Sequence, residues 1–101
     1  MLAQLSSQFE LASKSYAEAY EIMRDDDWFI LQLQEELGEL VQTWNKWTGR
    51  GLPKGKSRDE LSRALADETA DLLGHVLLFA RQNNLDLAPA IERKWKFKPV
   101  C

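Results

Sequence analysis

Two short acidic runs hold the residues in this chain that could do chemistry: Glu35-Glu36-Leu37-Gly38-Glu39, and about thirty residues later Glu68-Thr69-Ala70-Asp71. On a helix, residues three or four apart share a face, so Glu36 with Glu39, Glu35 with Glu39, and Glu68 with Asp71 form pairs of like charge. Such pairs repel, and each carboxylate raises the pKa of its neighbour. A hard divalent cation with oxygen ligands is the simplest way to neutralise them. With only oxygen ligands on offer, Mg2+ or Mn2+ is favoured over Zn2+ or copper. One E-x-x-E on a helix is by default a solvated surface. Two such pairs, each beside a stripe meant for the core, form a stronger joint signal.

The elements that must position these acids are helices. Leu5, Phe9, Ala12, Tyr16, Ala19 and Met23 recur in steps of four and three and predict a first, scaffold helix that the run Asp25-Asp26-Asp27 interrupts. An aspartate of that run can cap the next helix by accepting its free N–H groups. The second helix is predicted from about Trp28 to Trp47, with Ile30, Leu33, Leu37, Leu40, Val41 and Trp44 as its apolar stripe. At about 100° per residue Glu36 lies roughly 70° from the centre of that stripe, with Glu39 further out. Gly49, Gly51 and Pro53 end the helix in a basic loop, which lacks the glycine-to-Gly-Lys-Ser/Thr spacing of a P-loop.

Ser57 and Glu60 have capping-box spacing and start a third helix near Arg58. Its stripe is Leu61, Leu65, Leu72, Val76 and Phe79, with Glu68 about 60° from Leu65. Leu73, Leu77, Leu78 and Ala80 widen the apolar surface beyond that stripe, which in so short a chain points to a subunit interface. Asn83-Asn84 ends this helix, and Asp86 can cap a short fourth helix from about Leu87 to Phe97, followed by a basic, aromatic tail. If the second and third helices pack antiparallel, Glu36, Glu39, Glu68 and Asp71 converge at mid-length. The expectation is one all-α domain of four helices.

Composition narrows the function. At 101 residues the chain fits a single domain, and 45% hydrophobic with 29% charged residues argues against disorder. Residues 1–43 carry two basic and nine acidic side chains, whereas 44–58 carry five basic and none acidic. Acidic helices alternating with basic connectors fit a cation site beside an anionic substrate, and the net charge of −3 speaks against a general nucleic-acid binder. No stretch reaches the about 20 apolar residues of a membrane span. No secretory leader is evident, so a cytoplasmic location is expected. The only cysteine, Cys101, leaves no disulfide and no cysteine metal cluster.

Glu35-Glu36-Leu-Gly-Glu39 and Glu68-Thr-Ala-Asp71 resemble the E-E-x-x-E and E-x-x-D motifs of the MazG-like all-α nucleotide pyrophosphohydrolases. The likeness covers about two thirds of the chain. It implies Mg2+-dependent hydrolysis of a nucleoside triphosphate to monophosphate and pyrophosphate, as in nucleotide-pool house-cleaning, with water attacking the α-phosphorus. Carried over by position, Glu36, Glu39, Glu68 and Asp71 would hold the metal, while Glu35 would help bind it or orient the attacking water. Lys46, Arg50, Lys54 and tail lysines such as Lys94 could then neutralise the outer phosphates, and Trp28, Phe29, Trp44 and Trp47 could stack on the base. The likeness also implies an obligate homo-oligomer, with a tetramer favoured over a dimer. His75, one turn after Asp71, departs from the usual apolar or aromatic residue and is expected to be a core histidine bonded to Asp71. The alternative is a non-enzymatic regulatory or interaction module that retains an acidic metal-binding motif.

Overall fold

The computed structural model describes residues 2–100; Cys101, read above as an isolated thiol, lies outside them. Four helices form in chain order, α1 (Leu2–Ala19), α2 (Asp26–Thr48), α3 (Arg58–Gln82) and α4 (Leu87–Trp95), with no strand among the described residues. No described helix is long and apolar enough to cross a membrane.

Local chemistry explains the boundaries. Asp25 caps α2, its carboxylate accepting the Trp28 N–H at 2.8 Å, and Gly49 ends the helix in the left-handed conformation that a glycine adopts without strain. At the start of α3 the capping box closes in both directions: Glu60 N–H donates to Ser57 Oγ at 3.1 Å, and Ser57 N–H donates to Glu60 at 2.9 Å. Those bonds hold the Glu60 carboxyl below its usual range. Asp86 stands at the N-cap position of α4 but makes no side-chain capping bond, contrary to expectation. The first helix is also shorter than its periodicity predicts. It stops at Ala19, Glu21 turns left-handed, and Ile22 N–H reaches back to the Ala17 carbonyl at 2.8 Å, leaving Met23 exposed.

Arg24 ties this turn to the rest of the fold. Its guanidinium donates to both carboxylate oxygens of Glu10, at 2.7 and 3.2 Å, and to Ser13 Oγ at 3.1 Å, while lying 5.3 Å from the centre of the Phe29 ring. The bidentate bond holds the Glu10 carboxyl below its usual value.

The ends of α2 and α3 meet. Arg58 donates to the Trp47 carbonyl at 2.7 Å and lies 3.4 Å over its ring, while Gln82 at the close of α3 donates to Asp26 at the start of α2, at 3.4 Å. Between these points Phe29, Leu33, Glu36, Leu40, Thr43 and Trp47 form one buried or half-buried series along α2. They follow alternating steps of four and three, as one helical face requires. The matching series on α3 is Leu61, Leu65, Glu68, Leu72, His75 and Phe79.

The inward face of α2 is therefore rotated by roughly a quarter turn from the predicted stripe. Ile30, Leu37, Val41 and Trp44 are 46–50% exposed, and Glu36 occupies the middle of the packed face instead of its rim. On α3, Glu68 likewise sits within the buried series, and Val76 is exposed. Leu77, Leu78 and Ala80 are buried within the single chain, so most of the width that was read as a subunit interface is accounted for without a partner. α1 covers that side: the Phe9 ring lies against Gly74, where an added Cβ would come within 2.7 Å of a ring carbon.

Candidate functional site

A cleft of about 570 Å³ opens between α1, α2 and α3. Phe9, Tyr16 and Trp28 form its apolar walls, and Glu35, Glu36, Glu39, Asp71 and His75 supply its chemistry. Helical spacing brings each acid in: Glu35, Glu36 and Glu39 span one turn of α2, and Asp71 and His75 stand four residues apart on α3.

Glu36, Glu39 and Glu68 each offer a carboxylate oxygen, and the three oxygens lie within 4.8 Å of one another. All three side chains are half-buried. One oxygen of Glu36 and one of Glu68 are inaccessible to solvent and have no hydrogen-bond partner. An orphaned buried carboxylate oxygen is costly, so the group resists ionisation. Burial first, then the charges of Glu39, Asp71 and Glu68, push the Glu36 pKa up to about 7. Glu68 is raised in the same sense, by burial and then by Glu39 and Asp71. Asp71 stands outside the tight triad, at the exposed edge of the cleft.

His75 does not bond to Asp71. Its nearest carboxylate is Glu36, with 3.7 Å between Nε2 and Oε1, and its buried Nδ1 has no partner. Burial lowers its pKa against the pull of Asp71, Glu35 and Glu39, which leaves the ring neutral at pH 7. Its imidazole packs edge-on against Trp28 with 6.0 Å between centroids. Glu35 is exposed at the cleft rim, where it accepts a hydrogen bond from Gln32 at 3.0 Å. The rotation of α2 brings Glu35 to the cleft rim.

The binding residues named from sequence divide sharply. Trp28 lines the cleft. Phe29 is only 3% exposed and is a core residue, packed edge-on to Trp28. Trp44, Lys46, Trp47, Lys54 and Lys94 are absent from the cleft wall, and Trp47 is engaged by Arg58. Among the described residues no lysine or arginine lines the cleft. Phe9, Tyr16, Gln32 and His75 were not read as site residues. The available signal was weak: Phe9 and Tyr16 lie on the α1 stripe, which is indistinguishable from core, and only the single histidine one turn beyond Asp71 marked this region.

No family model matches the chain, nor does any curated protein or solved structure. The likeness to the MazG-like enzymes thus rests on the two acidic motifs and their helical setting.

Proposed function

We propose that the chain is a divalent-metal-dependent nucleoside triphosphate pyrophosphohydrolase of the MazG-like kind, acting as a homo-oligomer on antiparallel motif helices. The observation that carries the reading is the gathering of Glu36, Glu39 and Glu68 from two helices to within 4.8 Å, with orphaned oxygens on Glu36 and Glu68. Antiparallel packing is supported by the contacts of Trp47 with Arg58 and of Asp26 with Gln82 at opposite ends of the pair. The donor set suits Mg2+ or Mn2+, and Asp71, at the cleft edge, would add a further carboxylate. Such an ion would polarise a phosphoryl oxygen and lower the pKa of a bound water.

The chain's own residues have separable tasks. Glu36, Glu39 and Glu68 would hold the cation, which when bound would supply the charge that neutralises the reacting phosphate. Glu35, at the rim and bonded to Gln32, would orient the attacking water. Trp28 offers a ring face to a nucleobase, and neutral His75 offers a hydrogen bond. A volume of about 570 Å³ suits a nucleotide-sized ligand. The cations for the outer phosphates stand outside the cleft, on the 44–58 segment and the tail.

Magnesium-dependent release of pyrophosphate from a panel of nucleoside triphosphates tests the reading, with loss of activity expected in EDTA and in Glu36→Gln. No turnover across the panel, or full activity of the variant, overturns it. The cleft's lack of a lysine or arginine favours a second reading, a non-enzymatic module that binds a cation. Mg2+ binding without any pyrophosphate release would select that one.

A further inference from the structure

The segment from Arg93 to Val100, Arg-Lys-Trp-Lys-Phe-Lys-Pro-Val, gathers four cations and no acid, against nine basic and sixteen acidic side chains in the rest of the chain. Arg93, Lys94 and Trp95 close α4, and Lys96 turns left-handed and ends the helix. At about 100° per residue Trp95 falls between Ile91 and Ala88, on the apolar side that Leu87 begins. Leu87, Ala88 and Ile91 are half-buried, whereas Trp95 is 74% exposed. The apolar side of α4 therefore loses its cover before its last turn. Phe97 and Val100 follow at 56% and 87% exposed, and Val100 is the most exposed large apolar residue among those described. Among the described residues none of the four cations reaches a carboxylate within ion-pair distance, and none lines the acidic cleft.

We propose that this arm binds the surface of an anionic lipid bilayer, with Trp95, Phe97 and Val100 entering the headgroup boundary and Arg93, Lys94, Lys96 and Lys98 meeting the lipid phosphates. The composition is that of an interfacial segment, in which side chains that gain by leaving water are interleaved with cations that stay at the polar level. Charge fixes the orientation. A negative surface attracts the arm and repels the acidic remainder, so the chain docks arm first. The fold leaves the arm available, since α4 packs only lightly on the other helices. Single-stranded nucleic acid would engage the same cations, but it rewards ring faces on which bases stack, and Val100 offers none. A bilayer accepts all three apolar side chains and needs no groove. Three apolar side chains with four cations make a reversible attachment, well short of an inserted helix. The contact is independent of the cleft, because the 44–58 segment keeps its own five cations for an anionic substrate.

Flotation of the full chain with lipid vesicles tests it. At low ionic strength the wild type is expected to float with vesicles of equal parts phosphatidylcholine and phosphatidylserine, and to stay behind when phosphatidylcholine is used alone. The triple variant Lys94→Gln, Lys96→Gln, Lys98→Gln should bind roughly 100-fold more weakly, about fivefold for each lysine. The double variant Trp95→Ala, Phe97→Ala should bind roughly tenfold more weakly or worse, with the helical circular dichroism unchanged because both side chains stand in solvent. Lipids brominated along their acyl chains should quench the tryptophan emission of the wild type and quench that of Trp95→Phe far less. No binding to the anionic vesicles, or binding that the triple and double variants leave unchanged, overturns the proposal. Tighter binding to a mixed-sequence single-stranded oligonucleotide than to the vesicles at the same salt overturns it in favour of nucleic acid. Equal quenching of Trp95→Phe and wild type overturns the insertion of the arm.

Discussion

Nε2 of His75 on α3 lies 3.7 Å from Oε1 of Glu36 on α2, yet burial drives the two groups toward neutrality from opposite directions. The contact is therefore not a strong ion pair at pH 7. It marks a place where the fold has withdrawn ionisable groups from water before neutralising them.

A pH dependence of stability follows from Glu36. Its pKa in the folded protein is raised to about 7 from an ordinary value of 4.5, so the native state holds a proton that the unfolded chain has released. Stability should fall as pH rises from about 4.5 to about 7, and then level off. The expected loss is about 1–3 kcal/mol, shared with Glu68. His75, with its lowered pKa, works against this below about 6.5, where the unfolded chain binds the extra proton. The decline should thus be clearest in a His75→Gln background. Chemical denaturation of metal-free protein at pH 5 and pH 8 measures it, and equal stability at both would mean that the carboxylates do not converge.

Removing one charge should have opposite effects with and without metal. Glu68→Gln deletes a repelling carboxylate from the triad, so the metal-free protein at pH 8 should gain about 1 kcal/mol or more. The same variant should lose most of the rise in melting temperature that millimolar Mg2+ gives the wild type. Thermal scans with EDTA and with Mg2+ report both. A wild-type melting temperature indifferent to Mg2+ would point to scattered surface acids.

Elements were far more legible in the sequence than faces. Asp25 and the Ser57–Glu60 pair bond by their side chains to backbone N–H groups three residues away, and Gly49 and Asn83 end their helices locally, so short-range chemistry located the ends of α2 and α3 closely. α1 was over-extended because its apolar period runs past a turn made by Glu21, a residue without any glycine-like signal. The inward face of α2 was misplaced for a different reason. A periodicity count treats every apolar position as core, but Ile30, Leu37, Val41 and Trp44 lie about a quarter turn from the side that packs on α3 and are half exposed, and the packed face contains Glu36 and Thr43. Buried acids are the hardest residues to assign this way, since their types argue for the surface. The pairing of Glu36 and Glu39 with Glu68 was still readable, because spacings of three and four leave few alternatives on two packed helices.

The neighbouring aromatics Trp28 and Phe29 should separate function from stability. Phe29 is enclosed, and Phe29→Ala should cost about 3–5 kcal/mol of folding stability through the cavity it leaves. Trp28 is half-buried on the cleft wall, so Trp28→Ala should mainly raise KM for the nucleotide, by roughly tenfold if one base stacks there. Steady-state kinetics beside denaturant titration distinguishes the two. An unchanged KM in Trp28→Ala would remove this wall from the binding site.

Gly74 offers a test of how α1 shapes the cleft. The Phe9 ring packs so closely on it that an added methyl would stand 2.7 Å from Cε1 and 2.9 Å from Cδ1, distances that force the ring to move. Gly74→Ala would gain about 1 kcal/mol in helix propensity and lose about 1–3 kcal/mol to overpacking. A net destabilisation of about 1 kcal/mol is therefore expected. Gly38→Ala, with open space around its Cβ within the chain, provides the control. There the propensity gain of about 1 kcal/mol should appear undiminished. Because Phe9 also lines the cleft, Gly74→Ala should alter ligand affinity as well as stability, whereas deleting the ring in Phe9→Ala should relieve the clash and make the second substitution nearly neutral. A double-mutant cycle over Phe9 and Gly74 reads that coupling directly, and additive effects would show that α1 does not rest on α3 through this pair.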